Sequence, residues 1–190
     1  MKEQIREIIE TTILTLSIFA VLQFSMQNYL VQGPSMIPTL NEGQRLFVNK
    51  LIYKKLPSLE ITKNFPFMKK SQGKYIYLFN PPKKGEIIVF KSPNIPSIKI
   101  VKRAIGLPGD QVSIKNGTVF VNKMPIDENY VIKLGNSTIP NFKVPENYLF
   151  VLGDNRLQSD DSRNWGLLNS NNVIGRVFII YWPLNNFKLF

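Results

Sequence analysis

This chain of 190 residues contains no histidine and no cysteine. Without histidine, Ser-His-Asp catalysis, Cys-His catalysis and His-ligated zinc are closed to it. Without cysteine there is no thiol nucleophile, no thiolate metal site and no disulfide. That lack is compatible with a domain outside the cytoplasm, but it does not require one. Acid is scarce as well, with 13 Asp and Glu against 24 Lys and Arg and a net charge of +11. The excess base is scattered over strand-like segments, with no helix-turn-helix, zinc-finger or RNA-recognition pattern. A solvated basic surface near membrane is therefore preferred over nucleic-acid binding. Beyond residue 31 no segment shows long helical periodicity. A serine nucleophile here must find its base in a lysine, a carboxylate or the N-terminal amine.

What is present begins with a polar head at residues 1–10, carrying Lys2, Glu3, Arg6, Glu7 and Glu10. Residues 11–31 are free of charge and rich in Ile, Leu, Val and Phe. About 20 helical residues cross a hydrocarbon layer of roughly 30 Å, so this stretch is expected to be a single membrane anchor. A cleaved signal peptide fits less well, because no A-x-A-like site follows. An interfacial helix would need a Lys/Arg-rich face. Lys50, Lys54 and Lys55 follow the anchor, and a naive positive-inside count would hold the large domain in the cytoplasm. Long domains escape that count, so charge leaves the orientation open.

Residues 32–190 read as one mainly antiparallel β domain on that helix, with 54–80 as a probable insert or long loop. GEIIVFK at 85–91 is a buried-type strand, SIKIVKRAI at 97–105 alternates, and Asn116–Gly117 marks a hairpin between β-branched arms. YLFVL at 148–152 and VIGRVFIIYW at 173–182 supply further strands.

Three stretches carry chemistry. The first is VQGPSMIPTL at 31–40, where Gly33 gives backbone freedom and Pro34 and Pro38 restrict φ on either side of Ser35. Such a segment can hold a hydroxyl rigidly, as a nucleophile requires; taken alone it is equally a turn whose serine caps a local hydrogen bond. The second is the alternating strand. There Ile98, Ile100, Lys102 and Ala104 share one face. A lysine among apolar neighbours loses solvation of its ammonium form, and a fall from about 10.4 to roughly 7–8 asks for about 4 kcal/mol. The plainer reading is a lysine snorkelling from a sheet edge. The third is GDNRLQSDDSRNWG at 153–166, whose spacing does not match a calcium loop. A hydroxyl such as Ser159 can hold a neutral amine without stabilising its charge, while Asp161 and Arg163 can pair to brace the loop.

Together these stretches resemble the bacterial type I signal peptidases, membrane-bound Ser/Lys endopeptidases. The likeness runs over most of the chain in the family's motif order: residues 33–40, then GQRLFVNK at 43–50, then 85–91 with IVKRAIGLPGD at 100–110, then 153–166. It implies Ser35 as nucleophile, Lys102 as general base, Ser159 as the lysine's hydrogen-bond partner and Asp161 with Arg163 as a supporting pair. Met36, Leu40 and Ile100 match positions that line the pocket for the residue before the cut. Gly33 stands where some members carry a serine of the oxyanion hole, which leaves backbone N–H groups for that role. The resemblance further implies an extracytoplasmic β domain on the cell membrane and a cytoplasmic head. Signal peptides of exported preproteins, cut after small residues, would be the substrates and membrane lipid the other partner. No metal or cofactor is expected. A self-cleaving Ser/Lys repressor-type protease and a non-enzymatic membrane-anchored basic protein are the rival readings.

Overall fold

The computed structural model describes residues 2–57, 75–77 and 79–190. A 24-residue helix α1, Lys2–Ser25, leads into strands β1 (Met26–Leu30), β2 (Arg45–Asn49), β3 (Lys55–Pro57), β4 (Tyr75–Tyr77), β5 (Ile87–Lys91), β6 (Lys99–Gly106) and β7 (Gln111–Lys115). There follow β8 (Thr118–Val121), β9 (Met124–Pro125), β10 (Ile139–Lys143), β11 (Tyr148–Leu152), a one-turn helix α2 (Ser162–Trp165), β12 (Leu168–Asn169), β13 (Val173–Trp182) and β14 (Lys188–Leu189). The fold is mainly antiparallel β, as the strand-period reading expects. The large sheet runs β1-β2-β13-β5-β6-β11-β12 with β14 on β13, and a smaller sheet runs β10-β7-β8-β9.

Helix α1 is continuous from Lys2 through the polar head into the uncharged stretch, with the Arg6–Glu10 pair at 2.6 Å one turn apart within it. The helix stops at Ser25 rather than reaching residue 31, and β1 pairs with β2 from Met26↔Asn49 to Leu30↔Arg45. Gln27 and Asn28 gain little from a hydrocarbon setting, whereas pairing with β2 leaves their side chains exposed and lets Tyr29 pack on the core. Glu3–Ser25 is, among the described residues, the one helix long and apolar enough to cross a membrane. Of the expected insert at 54–80, residues 58–74 and 78 lie outside the described residues; its ends, β3 and β4, pair antiparallel.

The core explains why β5 is an unbroken apolar run. Ile87 and Val89 enter a cluster with Met36, Leu40, Leu46, Val48 and Val177, and Ile88 and Phe90 enter another with Ala104, Val151 and Leu168. A strand covered on both faces has no polar alternation to show. A third cluster joins the small sheet to the large one through Ile105, Phe150 and Leu152.

Candidate active site

The turn that carries Ser35 begins where β1 ends. Its backbone closes on itself, with the Ile37 N–H donating to Pro34 O at 3.1 Å and the Leu40 N–H to Met36 O at 2.9 Å. Met36 and Leu40 are only 1% and 0% exposed and sit in the core cluster beneath the turn. There they hold the turn down from below. Gly33 has φ +80°, in the region that favours glycine. The Ser35 N–H donates to no partner among the described residues.

Lys102 approaches from β6, where it pairs with Ile88 of β5. It is 3% exposed, and its Nζ lies 2.7 Å from Ser35 Oγ. Ile100 and Ala104, two residues to either side, pack with the cluster around Phe90. Burial drives the Lys102 ammonium down to about 8, against the opposing pull of Asp161, Asp160 and Asp154. The strand therefore delivers an amine that is easily made neutral, in contact with a hydroxyl.

Beside the dyad, β11 pairs with β6 only at Arg103, Ala104 and Gly106, so residues 99–102 have no strand partner on that side among the described residues. A groove of about 340 Å³ opens there, lined by Tyr29, Gln32, Ser35, Ile100, Lys102 and Asp160 among others. Ile100 stands on the groove wall.

The 153–166 loop is bound directly to the serine's turn. The Asn155 N–H donates to Ser35 O at 3.1 Å and its Nδ2 to Pro34 O at 3.2 Å. Gly153 is there for space: a Cβ at that position would lie 2.5 Å from Ser35 O and 2.1 Å from Ser159 Oγ. Ser159 is buried next to the turn, yet its Oγ makes no hydrogen bond among the described residues. Among the described residues it makes no bond to Lys102, the partner that the resemblance implies, and Lys102 Nζ bonds Ser35 Oγ. Asp161, fully buried, pairs with Arg163 at 2.8 Å and accepts from the Gly153 N–H at 3.0 Å. Arg163 also donates to the carbonyls of Arg156 and Ser159. These two residues brace the loop.

A family model described as signal peptidase, peptidase S26, matches residues 4–182. A signal peptidase I of Bacillus caldolyticus is 36% identical over 178 residues, covering 86% of this chain and 84% of its own. A signal peptidase IB of Staphylococcus aureus is 32% identical and covers 98% and 94%. A signal peptidase I of Leptolyngbya laminosa is 34% identical and covers 90% and 78%. The chain belongs to the peptidase S26, or signal peptidase, family. A crystal structure of a signal peptidase I from Enterococcus faecalis V583 aligns with 51% of this chain and 97% of its own at 34% identity, with a TM-score of 0.46.

Within this signal peptidase family member, several residues at the site carry no role in the sequence reading. Arg103 makes two hydrogen bonds to Asp154, at 2.9 and 2.6 Å, and donates to Gly85 O at 2.7 Å. The Thr39 hydroxyl donates to the same carboxylate at 2.5 Å, joining the serine's turn to β6 and to the loop. Buried Arg156 pairs with Glu128, and the Tyr130 ring lies 3.9 Å from the Arg103 guanidinium. Two cues were available: arginine next to the candidate lysine, and an acid directly after Gly153. Neither names its partner.

Proposed function

We propose that this chain is a membrane-anchored serine endopeptidase that removes signal peptides from exported preproteins, with Ser35 as nucleophile and Lys102 as general base. The observation that carries this reading is the 2.7 Å contact between Ser35 Oγ and a buried Lys102 Nζ, in a chain without histidine. An extended substrate lies in the groove and pairs with the unpaired side of residues 99–102. Neutral Lys102 takes the Ser35 proton, Oγ bonds to the scissile carbonyl carbon, and the unengaged Ser35 N–H faces the developing oxyanion. The C–N bond breaks as Lys102 returns the proton to the departing amine. Lys102 then takes a proton from water as the water oxygen attacks the ester carbon, and passes it to Ser35 Oγ as the C–Oγ bond breaks, which releases the signal peptide's new carboxyl group and restores the Ser35 hydroxyl and the neutral amine. Small side chains before the cut suit so confined an approach.

Helix α1 holds the site close to substrates that are themselves in the bilayer, which raises their effective concentration. The β domain faces the extracytoplasmic side. A cysteine placed at exposed Lys115 is expected to react with a membrane-impermeant maleimide in intact cells, in a chain with no competing thiol. The dyad is tested by cleavage of a preprotein in detergent. Ser35→Ala and Lys102→Ala are each expected to lose at least about a thousandfold in kcat/KM. Activity near wild type in either variant refutes the assignment.

A further inference from the structure

The serine's turn is open on two sides. One side is the groove with Lys102. On the other, Ile37, Ile132, Lys133, Asp154, Asn155 and Leu157 line a separate hollow of about 110 Å³. Ile132 and Leu157 stand 70% and 61% exposed at its rim, and neighbouring Leu134 is 41% exposed. Single exposed leucines are ordinary, but these converge on a hollow whose wall includes Ile37, two residues after the nucleophile.

The segment that brings Ile132 there is firmly held. Glu128 pairs with Arg156, and their side chains are 5% and 1% exposed. Tyr130 stacks on Arg103, and at the far end the Gly117 N–H donates to Ser137 O at 2.8 Å. The rim is thus pinned to the strand and loop that hold the dyad. Asp154, in the hollow's wall, has its carboxylate taken up by Arg103 and Thr39. The Asn155 Nδ2 is directed to Pro34 O and Gln158 Oε1, so beside the Lys133 ammonium the surface offered to a substrate is mainly apolar.

We propose that this shelf binds the part of the substrate that follows the scissile bond, and that it takes apolar side chains from the first few residues of the mature chain. The proposal rests on the peptidase reading above. A polypeptide held at Ser35 has two halves, and the groove beside Lys102 takes one. The other leaves across the turn, where Asn155 both binds Ser35 O and lines the hollow. An extended chain rises about 3.3 Å per residue, so a surface at Ile37 is within reach of the second to fourth residues after the cut.

The test uses the full chain in detergent and two preproteins that differ only at those three positions, Leu-Val-Leu in one and Ser-Gly-Ser in the other. Wild type is expected to favour the apolar substrate about five- to tenfold in kcat/KM, as partial burial of such side chains gives. Leu157→Asp and Ile132→Asp should each bring that ratio to within about twofold of one, and Leu157→Met should keep it. Because the ratio compares two substrates on one preparation, any unfolded fraction cancels. A wild-type ratio near one, or a ratio unchanged in both aspartate variants, overturns the shelf. A wild type that cleaves neither preprotein overturns the peptidase reading and the shelf with it.

Discussion

Lys102 and Arg103 are adjacent on one strand and both are buried, 3% and 9% exposed, yet the protein treats the two cations in opposite ways. Arg103 receives a bidentate carboxylate from Asp154, a backbone carbonyl from Gly85 and an aromatic face from Tyr130. Its charge is compensated and kept. Lys102 receives the Ser35 hydroxyl, and its charge is easily surrendered. Burial of a cation is structural when a carboxylate comes with it and chemical when none does. The difference lies in which partner each side chain meets, a contrast of a few ångströms.

The largest effect comes from making the two positions alike. Lys102→Arg keeps a cation of similar length but one that cannot become neutral. It is expected to abolish preprotein cleavage by at least about a thousandfold, as severely as alanine. Appreciable activity in the arginine variant would show that position 102 acts by charge and not as a base.

The converse change strips Arg103 of its partner. Asp154→Ala leaves a guanidinium buried without a carboxylate and frees the Thr39 hydroxyl that shares it. A loss of about 3–5 kcal/mol is expected, read as a fall in the denaturation midpoint. A loss below about 1 kcal/mol would mean that the pair behaves like an exposed one.

A third experiment separates the two cations by pH. The Lys102 amine has a lower pKa folded, about 8, than its ordinary value of 10.5. Between those values the unfolded chain binds more protons, so stability rises with pH across that window and the penalty is complete below it. Lys102→Met removes the penalty and is expected to be more stable than wild type by about 3 kcal/mol at pH 7, with the gap closing as pH approaches 10.5. A gap independent of pH would assign it to packing. In the mechanism proposed above the same amine is the base, so kcat/KM is expected to climb with pH through about 8.

This contrast also marks how far the sequence could be read. The meeting of Ser35 and Lys102 was legible because the chain's composition removed every competing base but a few, and because alternation set Lys102 among Ile98, Ile100 and Ala104. The strands were legible wherever apolar residues alternated or ran unbroken. Strand β1 was not: MQNYL continues an uncharged run, and its pairing with Arg45–Asn49 is decided by a partner many residues away. The Arg103–Asp154 pair spans 51 residues, and no spacing rule joins such positions. The hydroxyl of Ser159 was read as the lysine's partner from its residue type and from the resemblance, and only side-chain placement shows Nζ on Ser35 and Ser159 Oγ without a partner among the described residues.

The smallest effect sharpens the Lys102 half of the comparison. After burial, which lowers its pKa, the amine feels three carboxylates that raise it, Asp161, Asp160 and Asp154. Asp161 and Asp154 are buried in ion pairs and cannot be neutralised without disturbing the loop. Asp160 is exposed on the groove and, among the described residues, accepts only from Asn164 Nδ2, at 2.9 Å. Asp160→Asn removes its charge at nearly constant shape, so the Lys102 pKa falls and the alkaline rise in kcat/KM moves to lower pH. With a pKa near 8, about a tenth of the amine is neutral at pH 7, so the gain there is bounded at about tenfold and is expected to be a few-fold. The advantage should shrink as pH passes 8, where the wild-type amine is itself becoming neutral. An Asp160→Asn ratio that stays constant across pH would instead place that carboxylate in contact with substrate, and the lysine's titration would then be set by burial and the two paired aspartates.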